Sequence, residues 1–186
     1  MLSRDAVIRM GFASVGKDVE ISDRASFYGA SRIAVGNCVR IDDFCVLSAG
    51  QRGISIGDNV HVAVYSSLIG AGRIALGNFS NISSRVSIYS SSDDYSGETM
   101  TNPTVPHEFK NVCDADVCLG RHVIVGCGSV ILPGVTLEEG VAVGALSLIR
   151  TDCAAFGIYA GVPAQRIGER SRALLAVERR FINYSA

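Results

Sequence analysis

Between Leu119 and Leu148 an aliphatic residue recurs at every sixth place: Leu119, Val125, Ile131, Leu137 and Val143. Glycine follows directly at Gly120, Gly126 and Gly144. Four places beyond each aliphatic stands a short or β-branched residue, namely Val123, Ser129, Val135, Val141 or Ser147. An amphipathic helix repeats its apolar positions at three and four, and a half-buried strand alternates by two. A sustained period of six fits neither. It predicts a parallel β-helix in which each six residues supply one short strand and one corner.

The same period runs through most of the chain. It starts at Val15, Ile21 and Phe27, continues through Val35, Ile41, Leu47 and Ile56, Val62, Leu68, then Leu76, Ile82, Ile88, and ends with Leu137, Val143 and Ile149. Six groups of three hexads predict about six triangular coils. Between groups sit insertions, each closed by an aliphatic two places before the next hexad: Ile33, Ile54, Ile74 and Val117. Alternation by two lengthens the first strand of each coil with both aliphatics pointing inward, so the extra residues collect at one edge. One insertion, 89–116, is long and polar, and carries Pro103, Pro106, Tyr95 and Phe109. A loop that long inside a repeat is functional or disordered, and its aromatics favour a packed one.

Residues 1–14 precede the repeat and read as an N-terminal cap. The single all-β domain then spans a solenoid over 15–157 and an irregular turn plus C-terminal helix over 158–186. In that helix Leu174, Leu175, Val177, Phe181 and Ile182 share a face, which predicts a cap over the open end of the stack.

With 17 basic against 18 acidic residues, charge recommends neither nucleic acid nor a membrane surface as partner. Arg4, Asp5 and Arg9 interrupt what would be the apolar core of a signal peptide, and no apolar run reaches the roughly 20 residues of a membrane span. The six cysteines are scattered without CxxC pairs or metal-ligand spacing, and Cys45 falls at a small inward position. These features indicate reduced thiols and a cytoplasmic location.

Six hexad triplets, the long loop after the fourth, ILPGV (131–135) and GVPA (161–164) resemble the hexapeptide-repeat acyltransferases. The segments HVAVYSSLIGAG, SSRVSIYSSSDDYSG and TNPTVP are similar to enzymes of surface-polysaccharide (O-antigen) synthesis that acylate an amino-deoxy sugar carried on a nucleotide. The resemblance implies a left-handed β-helix, a homotrimer with active sites between neighbouring prisms, acetyl-CoA as co-substrate and no metal.

Acyl transfer from a thioester needs a deprotonated nucleophile, donors for the oxyanion and a channel for pantetheine. Many relatives place a basic histidine a few residues after the strand that opens the loop. Here Asp93 and then Asp94 stand there. A carboxylate is a weak base toward a sugar hydroxyl but adequate toward an ammonium, which favours an amine acceptor. His61 is the alternative base. It points outward with Asn81 one coil above, and both are expected to share a cleft with Asp93. Asp94, Asn81, His107 and His122 are candidate acceptor contacts, although Asp94 also suits a loop cap and His122 a structural corner. The resemblance puts CoA along the last coils, beside Gly126, Ala145 and Ser147, with Arg150, Thr151 and Arg166 near its phosphates. Small residues are also what packing alone would select, and Gln165 stands where relatives carry a cation directly after the proline–alanine pair.

Three other readings compete. O-acetylation of a hydroxyl uses the same scaffold. A zinc carbonic anhydrase needs a close histidine pair plus a third, and His61, His107 and His122 are far apart in sequence. A non-catalytic solenoid has no use for the long loop or the GVPA ending.

Overall fold

Each hexad closes a strand of two to four residues and turns a corner, and the corners stack. The computed structural model describes residues 1–185, wound as a three-sided parallel β-helix. The first sheet runs Ser14–Val15, Ile33–Val35, Ile54–Ile56, Ile74–Leu76, Val117–Leu119 and Thr136–Leu137. The second runs from Glu20–Ile21 through His61–Val62 and Asn81–Ile82 to Ala142–Val143 and beyond. The third runs from Ser26–Tyr28 through Ser67–Gly70 and Ser87–Tyr89 to Leu148–Ile149. Register is strict from coil to coil: Ile82 lies beside Val62 on one side and Val125 on the other.

The residues of the six-place period fill the prism. Ile21, Ile41, Leu47, Leu68, Ile82, Ile88, Ile131 and Leu137 are fully buried, and Ile33, Ile54, Ile74 and Val117 join them from the lengthened first strands. The small residues between them occupy the interior corners, where a larger side chain has no room. Their polar atoms are satisfied by the backbone: Ser66 Oγ donates to the Ser83 carbonyl at 2.9 Å and Ser129 Oγ to that of Gly144 at 3.0 Å. Cys45 donates its thiol to the Ala63 carbonyl at 3.1 Å, and burial pushes that thiol up from its ordinary range. All six cysteines are free.

Two of the three edges turn through left-handed residues other than glycine. Asn59, Phe79 and His122 do so between the first and second sheets, with φ of 56°, 62° and 59°. Phe44, Tyr65 and Arg85 do so between the second and third, with φ of 58°, 62° and 60°. Such a conformation costs an L-residue about 1–2 kcal/mol. It recurs because each corner amide then reaches the coil below: Tyr65 N–H donates to the Asp43 carbonyl at 3.1 Å, and His122 N–H to that of Asn78 at 3.0 Å.

Helix α1 (Arg4–Arg9) covers the first coil, capped by Ser3 and buried through Val7. The C-terminal end departs from the expected turn and cap. Gly157–Gly161 adds a further row to the second sheet beside Ala142–Val143, and Ala164–Glu169 folds back antiparallel across a cis Val162–Pro163 bond. That hairpin, with buried Phe156 under the Arg172 guanidinium at 4.2 Å, closes the stack. Helix α2 (Leu174–Ser185) instead lies along the edge between the first and second sheets. Phe181 meets Phe79 edge-on at 6.0 Å, and Glu178 reaches Arg121 and His122. The end row is already covered by the returning strand, so the helix docks on the Phe79 corner instead, through Phe181 and Glu178, while Val177, Phe181 and Ile182 of its apolar stripe stay about half exposed.

Candidate active site

The long insertion leaves the third sheet after Tyr89 and is pinned at its base. Ser91–Ser92 pairs antiparallel with Cys113–Asp114, and Ser91 Oγ donates to Asp114 at 2.6 Å while accepting from Ala71 N–H at 2.7 Å. At its exit Asp116 accepts from Arg73 N–H at 2.9 Å and from Arg52 at 3.0 Å. Further out, Lys110 Nζ donates to the Asn102 carbonyl at 3.1 Å. The root of the loop is tied down, but Tyr95 and Phe109, expected to pack it, are exposed, so that expectation is corrected.

That root forms one wall of an open cleft of about 420 Å³. Ser91, Ser92 and Asp93 line its polar side, Val130, Leu132 and Pro133 its apolar side, and Tyr89 and Tyr95 flank it. Asp93 is exposed, and among the described residues its carboxylate has no hydrogen-bond partner. Its neighbour has the opposite role. Asp94 accepts from Ser96 N–H at 2.8 Å and from the N–H and hydroxyl of Thr99 at 3.0 and 2.8 Å. Those bonds, from Ser96 first, hold its carboxyl down at about 2. Asp94 therefore braces the loop through both of its carboxylate oxygens.

His61 sits elsewhere. It projects from the outer face of the second sheet with Arg40 below and Asn81 above it in register. Its Nε2 meets Asp42 Oδ2 at 2.8 Å, and Arg40 Nε meets the other oxygen of Asp42 at 2.7 Å. Burial raises the Asp42 carboxyl, but hydrogen bonds from Arg40 and His61 outweigh it and leave it below the ordinary range. Asp42 is the residue that sequence reasoning missed; only coil register, which sets it beside the next row, would have found it. The expectation that His61, Asn81 and Asp93 share a cleft is corrected within one chain. The first two stand on the second sheet, whereas Asp93 stands at the far end of the third.

The remaining candidates separate cleanly. His107 lies exposed in a short 3-10 turn, His107–Phe109. His122 is occupied by α2: its ring stacks on Phe79 at 5.0 Å and its Nε2 meets Glu178 at 2.9 Å, so it serves as a helix dock rather than an acceptor contact. Ser147 is buried, donates to the Gly144 carbonyl at 2.8 Å and accepts from Gly161 N–H at 3.2 Å, which removes its hydroxyl from a ligand's reach. A side chain at Gly126 would collide with the backbone of Gly144 and Ala145 in the next coil, so stacking alone requires glycine there. Ala145, Arg150 and Thr151 are exposed at the last corners, and Arg166 pairs with Glu169 at 2.6 Å on the returning strand. No group of three or more His, Cys, Asp or Glu side chains among the described residues is placed to hold a metal ion.

No family model matches the chain. An Escherichia coli protein, dTDP-4-amino-4,6-dideoxy-D-glucose acyltransferase, is 57% identical over 172 residues, 92% of this chain and 90% of its own. A point mutant of AntD, an N-acyltransferase from Bacillus cereus, superposes with a TM-score of 0.95 at 42% identity over 98% of this chain and 97% of its own, in a complex with dTDP-4-amino-4,6-dideoxyglucose and coenzyme A. A second AntD structure, with dTDP and 3-hydroxybutyryl-CoA, gives the same score and identity over 99% and 97%. The hexad core, the rigid-rooted loop and this breadth of shared sequence make the chain an acyltransferase that belongs to the hexapeptide-repeat, left-handed β-helix family.

Proposed function

We propose that the protein transfers an acyl group, acetyl in the first instance, from its CoA thioester to the amine of a dTDP-linked 4-amino-4,6-dideoxy sugar. The observation that carries this reading is the 57% identity to the E. coli enzyme across nine-tenths of both chains. The cleft at the loop root supplies the chemistry. An ammonium entering it meets the Asp93 carboxylate, which takes one proton. The freed amine attacks the thioester carbonyl, the C–N bond forms, the C–S bond breaks, and the departing thiolate collects the second proton. No acyl-enzyme is required.

We infer that the working unit is a homotrimer. One chain presents Asp93 at one end of the third sheet and His61, held by Asp42, on another face. A second copy turned about a threefold axis brings an outer face of one prism against the loop of the next, and rigid walls from two chains hold thioester and amine in attack geometry. In this arrangement His61 and Asn81 contact the acceptor, or His61 replaces Asp93 as base. His107 reaches across from the loop, and CoA lies along Ala145, Arg150, Thr151 and Arg166. We place the reaction in the cytoplasm, where nucleotide sugars and acyl-CoA are found together, supplying activated amino sugars for surface-polysaccharide assembly.

The test is a thiol-release assay with purified protein, dTDP-4-amino-4,6-dideoxyglucose, and acetyl-CoA or 3-hydroxybutyryl-CoA, the product being read by mass. An N-acyl product with either donor supports the reading. Hydrolysis alone, or acylation confined to a hydroxyl of a sugar lacking the amine, overturns it.

A further inference from the structure

The outer face of the third sheet changes character at the height of the loop. Ser67, Ser87, Val130 and Leu148 form one column in register, rising coil by coil. The lower two are polar, and Ser67 Oγ donates to Ser87 Oγ at 3.2 Å. The upper two are aliphatic and half-buried. Val130 is the first of these, and with Leu132 and Pro133 it makes the apolar side of the cleft whose polar side carries Asp93.

The repeat does not ask for this wall. The inward residue of the strand is Ile131, fully buried, and Leu132 follows it on the outside with its N–H donating to the Ile149 carbonyl at 3.0 Å. In the other coils the same place, one after the buried aliphatic, holds Tyr28, Ser48, Ile69, Tyr89 or Arg150. A ring, a hydroxyl, a branched chain and a cation all fit there, so coil packing leaves the choice of leucine open. Leu132 is half-buried, and it lies against the cleft and outside the core.

The geometry of a thioester says what such a wall would meet. Its carbonyl carbon holds three groups in one plane: oxygen, sulfur and the acyl chain. The amine attacks across that plane, from the side of the Asp93 carboxylate in the reading above. The sulfur leads to pantetheine, which we place toward the upper coils. The developing oxyanion needs hydrogen-bond donors, and aliphatic side chains have none to offer. The acyl chain is the remaining group, and it gains from an apolar wall because its carbons leave water there.

We propose that Leu132, supported by Val130, sets which acyl chain the enzyme transfers, its side chain being the surface against which the carbons beyond the carbonyl pack. This rests on the acyl-CoA reading above and leaves its bond changes as they are. The test uses the whole protein with dTDP-4-amino-4,6-dideoxyglucose, and compares butyryl-CoA with acetyl-CoA as a ratio of kcat/KM values. A ratio taken on one preparation cancels any loss of folded enzyme. Leu132→Ala is expected to raise the butyryl-to-acetyl ratio about tenfold or more over wild type and Leu132→Phe to lower it by as much, the scale on which an apolar pocket discriminates a methylene or two. KM for the dTDP-sugar should stay within threefold of wild type. Donor ratios within threefold of wild type in both variants, or moved in the opposite directions, overturn Leu132 as the selector while leaving the transfer reading intact. A rise in KM for the dTDP-sugar without a change in donor ratio also overturns it and gives the wall to the 6-methyl group of the acceptor. Should Leu132→Ala be inactive, Val130→Ala trims the same wall and must raise the ratio; an unchanged ratio there overturns the proposal as well. Wild-type protein that acylates the amine with neither donor overturns the transfer reading itself.

Discussion

His61 and His122 each meet a carboxylate through Nε2, at 2.8 Å from Asp42 and 2.9 Å from Glu178. A carboxylate accepts and does not donate, so in both the hydrogen rests on Nε2 when the ring is neutral. The settings differ. His61 keeps 41% of its side chain exposed on an open sheet face, and its carboxylate comes from the neighbouring coil of the same sheet. His122 keeps 12%, has a phenyl ring over its face, and takes its carboxylate from a helix 56 residues away. One hydrogen bond thus does two jobs: it orients an accessible imidazole in the first pair and ties an element to the solenoid in the second. What separates them is which surfaces stay open, not the chemistry of the pair.

The largest effect should come from moving the chemistry away from both histidines to the loop root. Asp93→Asn is expected to lower kcat/KM for the amino sugar by about 10²–10⁴ if Asp93 is the base. His122→Asn, which keeps a residue suited to φ of 59°, should change it less than threefold. Steady-state assays on the two variants check this. Retained activity in Asp93→Asn together with its loss in His61→Gln would transfer the base to the open pair.

The closed pair should dominate stability. Glu178→Ala leaves Arg121 and His122 without their acceptor and removes the polar clamp of α2. Because Arg121 is about half exposed, the cost is set below that of a fully buried pair, at about 1–2 kcal/mol. Thermal unfolding should fall by about 2–8 °C, with kcat at 25 °C unchanged. A drop in Tm as large in Asp42→Asn would erase the distinction. Asp42→Asn should cost less than 1 kcal/mol, since Arg40 and His61 are both largely solvated, and should change the rate only through His61, by a few-fold at most.

Most of the fold was legible because the rule behind it is local. A hexad needs one inward aliphatic and one small corner residue, and Ile82 with Val86, or Leu137 with Val141, shows both in the sequence itself. The loop was legible as an interruption of that rule. The site was less so, because adjacent residues have opposite fates: Asp93 faces the cleft while Asp94 turns back to Ser96 and Thr99, and no pattern of residue types distinguishes them. Ser147 matched both a packing role and a ligand role until its hydroxyl was found bonded to Gly144 and Gly161. Helix α2 showed its apolar stripe but not its destination. That depended on Phe79 and His122 being brought to one corner from coils 43 residues apart in sequence. Relations between coils are what the sequence hides, and Asp42 with His61 is one of them.

The smallest effect concerns acid. The hydrogen bond from His122, opposed by burial and aided by Arg121, holds the Glu178 carboxyl below its ordinary range. A carboxyl whose folded pKa is depressed contributes stability that is fully present above its unfolded value, near 4.3, and is lost as pH falls through the folded value. The sign is therefore fixed: the clamp should hold from neutrality to about pH 5 and weaken below it. Urea midpoints for wild type and Glu178→Gln, taken at pH 7 and at pH 3.5, read this directly, since the substitution removes the titrating group but keeps its size. The gap between the two proteins should shrink at the lower pH by less than the full 1–2 kcal/mol of the pair. A gap that stays constant or widens would mean that α2 is held by Phe79 and Phe181 alone, and that the closed histidine pair is a consequence of docking rather than its cause.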